Sequence, residues 1–326
     1  MEIDPVNSLF GSGALQPRQG DKQSAGTVKK EELRQSILDR GRKLPNADRV
    51  CNPMHTSLSP ELFADQSVSR RRDEFGFRDG ISGGLMSRTM MQDELALLFA
   101  QTPKDAGLDE ISAAITEGNI LGKPTLSSRK KSLAHLRELY GLDCRRTLFR
   151  VLRRLAALDP ASLPSLALIC VYCRDPQLRA SFTLIRALRV GERLERERME
   201  RLMETCFPGR FSAALKRSLA QNVNACWTAA GHLMGRTKKL RSRPTPRPVS
   251  VAYAMLAGYL SGLRGQRLLQ SEFGELVTPE PSVILSQLSL ASARGLVGFK
   301  RAGGVVEFDF SPLLTAHERA LADVTD

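Results

Sequence analysis

Residues 281–310, PSVILSQLSLASARGLVGFKRAGGVVEFDF, hold the pattern on which the fold class turns. Over 281–294 the apolar residues Ile284, Leu288 and Ala291 recur at the three- to four-residue spacing of one helix face. Two short runs of period two follow, 296–299 and 305–310, with Val306, Phe308 and Phe310 on one side. Between them Lys300-Arg301-Ala302-Gly303-Gly304 reads as a basic, glycine-tipped turn. Two more helices are expected ahead of this unit. One covers 248–263, with Val251, Met255, Tyr259 and Leu263 on a face, and the other covers 266–277. Three helices and a hairpin, in that order, are the elements of a winged helix. Such a module sets a helix in a groove of duplex nucleic acid and the hairpin on the phosphates. Arg294, Lys300 and Arg301 are therefore candidate DNA contacts. The alternative is a plain surface hairpin, because charged tips also keep hairpins soluble.

Upstream the same motif recurs in outline. Leu215, Leu219, Val223, Trp227, Ala230 and Met234 give a helix over 212–235, with Gly235 as its stop. Trp227, the only tryptophan, lies on the apolar face and reads as core. The run Lys238-Lys239-Leu240-Arg241-Ser242-Arg243-Pro244 alternates around Leu240 and suits a short basic strand. This places Arg236, Lys238, Lys239, Arg241 and Arg243 among the candidate DNA contacts. Further back, helices are expected over 89–101 and 108–117. A turn, Gly118-Asn119-Ile120-Leu121-Gly122-Lys123-Pro124, leads into a third helix capped by Thr125, Ser127 or Ser128 and running to Tyr140. That helix opens with Arg129-Lys130-Lys131, and the whole has a helix-turn-helix outline. A helical bundle with a solvated basic face is the competing reading.

The fold expectation is therefore mainly α, a helical multi-domain protein with a helix-turn-helix, a C-terminal winged-helix-like module and a minor β hairpin. Residues 1–85, rich in Gly, Ser and Pro, are expected to be a largely disordered extension with one short helix near 29–42, and Arg70-Arg71-Arg72 a solvated tail feature. The helix-turn-helix domain spans 86–158. A helical middle domain, 159–247, ends in the basic segment, and within it 165–173 reads as a core helix and 185–206 as one amphipathic helix of mixed charge. The winged module spans 248–314 and a tail 315–326.

Lys and Arg total 48 against 35 Asp and Glu, a formal charge of +13, and such a field favours polyanions. The charge is uneven. Residues 209–248 carry nine cations and no acid; residues 120–155 carry ten against Glu138 and Asp143. Clustered positive charge suits a phosphate backbone.

Catalytic chemistry finds little footing. Cys170-Val171-Tyr172-Cys173 has the spacing of a zinc or redox pair, but no second pair or nearby His completes it. The four His are scattered, and no phosphate-cradling loop stands between a strand and a helix. The expectation is no catalytic residue, no metal and no cofactor. Six Cys, mostly in apolar contexts, suit reduced buried thiols, and a soluble cytoplasmic protein follows from the lack of a leader or an apolar run long enough to span a membrane.

The run from Ile115 to Lys131, ITEGNILGKPTLSSRKK, resembles the glu-x-asn-leu-leu … thr-x-x-x-arg signature near the start of BrxA proteins of the BREX bacteriophage-defence systems. The resemblance extends over about 86–312 through the helical middle and a later basic helix; the long N-terminal extension departs from it. It implies a helical, non-catalytic binder of double-stranded DNA that works beside other phage-defence proteins. An RNA-binding factor of the antitermination type and a scaffold subunit with acidic partners remain alternatives.

Overall fold

The computed structural model describes residues 66–80 and 83–323. The expectations for 1–65, including the helix near 29–42, and Cys51 and His55 lie outside the described residues. What is described is mainly helical with two small antiparallel sheets.

Order begins earlier than expected. Helix α1 (Gln66–Phe75) and the turn after it bury Phe75 and Phe77, and α2 (Gly84–Ser87) buries Leu85 completely. Arg72 is not a solvated tail residue. It is 3% exposed, reaches Asp79 at 3.3 Å, and its guanidinium lies 4.5 Å from the Phe77 ring centre. A buried cation persists where a carboxylate and an aromatic face replace its water.

Helices α3 (Gln92–Gln101), α4 (Leu108–Thr116) and α5 (Leu126–Tyr140) follow the expected outline. Thr125 caps α5: its side chain accepts from the Ser128 N–H at 3.1 Å, and Ser128 Oγ accepts from the Thr125 N–H at 3.2 Å. That reciprocal pair satisfies two donors the helix start would otherwise leave open. Gly141, at φ +84°, ends the helix. α4 packs on α5 and buries Ile111, Ile115, Leu136 and Leu139.

Then come α6 (Thr147–Leu158), a 3-10 turn (Pro160–Ser162), α7 (Leu163–Arg174), α8 (Pro176–Ala187), β1 (Arg193–Leu194), α9 (Arg196–Cys206), α10 (Ala213–Ala229), β2 (Leu233–Met234) and β3 (Lys239–Arg241). The amphipathic helix expected over 185–206 is two helices with β1 between them, because the chain reverses at Gly191 with φ +82°. The helix expected to run to Gly235 stops at Ala229, where Gly231 at φ +83° turns it into β2. α8, α9 and α10 pack on one another, and the strands lie in the order β1–β3–β2, with Arg193 and Met234 both opposite Leu240. Helix, strand, helix, helix and hairpin, with the first strand against the last, is a winged-helix connection in the middle of the chain. α7 is the expected core helix. Cys170 and Cys173 are fully buried thiols, and burial pushes the Cys170 pKa up to about 11 and that of Cys173 further. Cys206 departs from the expectation of a thiol, being disulfide-bonded.

The C-terminal part is α11 (Pro248–Leu260), α12 (Gly265–Leu269), α13 (Glu272–Glu275), α14 (Pro281–Ala293), β4 (Gly298–Ala302), β5 (Val305–Asp309) and α15 (Ala316–Asp323). The second helix expected here is broken at Ser271 into α12 and α13. Ile284, Leu288 and Ala291 of α14 face inward as the spacing requires. Every residue from Pro248 to Gly258 is buried, because α11 packs on α6 and α7 as well as on α13 and α14. The Tyr253 hydroxyl donates to the Leu148 carbonyl at 2.8 Å. The boundary expected at 247/248 thus runs through one continuous core. Nor is 315–323 a loose tail: Glu318 is buried and accepts from the Thr147 hydroxyl at 2.6 Å and from Arg150.

A buried joint links the middle and C-terminal modules. The Trp227 ring stacks on Phe182 at 5.4 Å, and its Nε1 donates to Ser181 Oγ at 2.7 Å. His232, 1% exposed, sets its ring edge-on to Trp227 and bonds the Leu276 carbonyl through Nε2 at 3.0 Å. Burial, reinforced by the Arg241 charge, pushes the His232 pKa down to about 3. Arg186 meets Glu275 at 3.7 Å, and Arg243 pairs with Glu280.

Candidate nucleic-acid interface

The acid-free run 209–248 is not acid-free in space. Lys216 pairs with Glu204 at 2.5 Å, Arg243 with Glu280, and Arg247 holds Asp159 through two bonds of 2.6 and 2.9 Å. Three further cations expected to contact DNA hold the fold together instead. Arg241 is 7% exposed and donates to the carbonyls of His232, at 2.9 Å, and Ser242. Lys239 turns back to donate to the Gly235 carbonyl at 2.7 Å and so closes its own hairpin. Arg129 is half-buried and donates to the carbonyls of Lys123 at 3.2 Å and Thr116 at 3.1 Å. A guanidinium spent on backbone carbonyls in the protein interior is not available to a phosphate.

The residues of the sequence signature share that structural character. Asn119 sits at φ +51° and its side chain accepts from the Lys123 N–H at 2.8 Å, Thr125 caps α5, and Arg129 ties both ends of the turn. The signature therefore sets the angle at which α4 delivers α5.

What remains outward on α5 is compact. Ser127, Lys130, Lys131, Ala134 and Arg137 are exposed. Residues 127, 130, 134 and 137 recur at helical spacing on one side, with Lys131 beside them. Lys130, Ala134 and Arg137 also line a cleft of about 570 Å³, in which Arg78 and Arg146 are paired with Glu138 and Asp73 and Arg174 donates to backbone carbonyls. Arg137 was not among the expected contacts, although the same spacing places it two turns after Lys130.

The middle hairpin presents Arg236 and Lys238, both exposed, with no ion pair or hydrogen bond among the described residues. Its loop is tight. Gly235 stands at φ +93°, and a Cβ there would lie 2.2 Å from the Lys238 carbonyl oxygen. In the C-terminal hairpin the tip is Gly303-Gly304 alone, since Ala302 pairs with Val305. Lys300 and Arg301, expected at the tip, are strand residues of β4. Lys300 stands opposite Glu307 and Arg301 opposite Val306, both cations exposed. Asp309 lies on the same side as Lys300, two pairs further on, so that face of the hairpin is not a net positive one. Arg294 is exposed at the end of α14. The outward positions of α14 are otherwise Ser282, Ser286, Ser289, Leu290 and Ala293, a neutral face of small side chains.

Among the described residues no group of three or more His, Cys, Asp or Glu could hold a metal ion, and no helix is long and apolar enough to cross a membrane. No protein-family model matches the chain, and no curated protein matches it.

Proposed function

We propose that this chain is a non-catalytic binder of double-stranded DNA that grips the duplex mainly through phosphates, as a component of a bacterial, BREX-like phage-defence system. The observation that carries the reading is the middle module. Its strand order β1–β3–β2 and its packed helices α8, α9 and α10 support a winged-helix reading, and its hairpin loop bears Arg236 and Lys238 with no acid against them. The outward Lys130, Lys131 and Arg137 of α5 agree with it. The defence role rests on the signature between Glu117 and Arg129.

Fluorescence anisotropy of a labelled duplex of arbitrary sequence, titrated at about 50 and about 200 mM salt, tests the reading. Five or more phosphate contacts would cost several hundred-fold in affinity across that range. A flat salt dependence favours the scaffold alternative, and a structured RNA that outcompetes the duplex favours the RNA-binding one.

A further inference from the structure

The third helix of the middle module is covered along one flank, at Ser218 and Asn222, while Ala214, Arg217 and Gln221 stay exposed. Helix α2 lies across it: Ser218 Oγ donates to the Met86 carbonyl at 3.1 Å, and Asn222 Nδ2 to the Leu85 carbonyl at 2.9 Å. The other side of α2 rests on α5, where Glu138 accepts from the Gly83 N–H at 2.6 Å. Leu85 and Met90, fully buried, anchor the segment at both ends, and the Tyr140 hydroxyl donates to the Met90 carbonyl. Between those anchors Ser87, Arg88 and Thr89 are all exposed. The Arg88 guanidinium has no hydrogen bond or ion pair among the described residues, while the neighbouring Glu138 is engaged by Arg78 at 3.3 Å. Arg88 is close enough to His135 of α5 for its charge, after burial, to hold that imidazole below its usual pKa.

An exposed guanidinium on a backbone fixed at both ends, with no carboxylate to answer it, is a preorganised donor for a phosphate. The geometry points to Arg88, on the segment Ser87-Arg88-Thr89, as a clamp on the DNA backbone, held where α2 bridges α5 and α10. This rests on the duplex-binding reading above and adds residues outside the basic runs. Arg88 is the binding residue. Ser218 and Asn222 are positioning residues that act through α2.

The full chain and its Arg88→Ala variant are titrated with the same labelled duplex at about 50 and about 200 mM salt, and the variant's salt slope should fall by about 0.9, so that it loses about 3.5-fold less affinity across the range. Melting temperatures should match, because the side chain is solvent-exposed. A second readout is the His135 imidazole resonance. A phosphate against Arg88 cancels its charge, so duplex addition should raise the His135 pKa in the wild type and leave it unmoved in the variant. A wild type that binds with a slope the variant retains, or a His135 pKa indifferent to DNA, overturns the clamp alone. A wild type that does not bind duplex overturns the function and the clamp together.

Discussion

Five cations of the middle hairpin region, Arg236, Lys238, Lys239, Arg241 and Arg243, look alike in sequence, and the structure divides them by what each side chain touches. Only Arg236 and Lys238 are exposed without a partner among the described residues. Replacing both by Ala should remove two phosphate contacts, which lowers the salt slope by about 1.8. Between about 50 and about 200 mM salt the double variant should therefore lose roughly 12-fold less affinity than the wild type. Arg241→Ala should behave in the opposite way. It removes a charged donor from the carbonyls of Ser242 and of His232, which keeps only the Ser242 N–H, and costs about 1–3 kcal/mol of stability. Its melting temperature falls by several degrees while its slope, measured below the transition, stays at the wild-type value. Anisotropy titrations at four salt concentrations, with scanning calorimetry of each protein, separate the two effects. A folded Arg236→Ala, Lys238→Ala double variant with an unchanged slope would refute the assignment of the hairpin loop to the phosphates. So would an Arg241→Ala variant that keeps full stability and loses slope.

Three further outcomes follow from the same geometry. Lys130→Ala with Lys131→Ala should lower the slope by about 1.8 without altering the melting temperature, whereas Arg129→Ala should loosen the turn before α5 and cost about 1 kcal/mol or more in urea unfolding. His232 has a folded pKa lowered to about 3, so its contribution is whole above the unfolded value near 6.5 and is lost as pH falls through that window. At pH about 5 the loss is about 2 kcal/mol, and a His232→Gln variant should show a flatter fall of urea midpoint between pH about 7 and about 5; parallel curves would contradict it. Asn222→Ala should leave the Leu85 carbonyl without its donor and lower the melting temperature by a few degrees, read by circular dichroism.

The parts of the fold legible in the sequence are those carried by local chemistry. Thr125 and Ser128 announce the start of α5, Ser212 that of α10, and the inward Ile284, Leu288 and Ala291 the register of α14. What escaped was set by contacts distant in sequence. The two-residue strand β1 has no period to detect, and only its pairing with β3 ties 176–241 into one unit of three helices and a small sheet. Arg72 and Glu318 read as polar tail residues until Asp79, Thr147 and Arg150 surround them. In the candidate interface Lys130, Lys131, Arg236 and Lys238 were legible as exposed members of basic runs. Arg88 was not, since it stands outside any run and owes its fixed position to Ser218, Asn222 and Glu138 on two other helices.

Charge in a sequence window and charge on a surface differ for a physical reason. A chain that folds into one core brings acids from far along it to the edges of a basic run: Glu204, Glu280 and Asp159 each quench a cation of 209–248 from elsewhere. Burying a charge is costly without a partner, so the cations nearest the core find carboxylates or carbonyls first and those on loop tips and outward helix faces are left over. Arg88, Lys130, Lys131, Arg137, Arg236 and Lys238 are among the survivors and come from three separate stretches, 88, 130–137 and 236–238. In the proposed reading each group alone would supply one to three phosphate contacts, too few for tight binding at physiological salt. Held on one packed framework through α11, His232 and the α2 clip, the groups would add their contacts within a single encounter if the chain binds duplex as proposed. Under the proposed function, rigid joints are what would let scattered, individually weak cations contribute to one binding event.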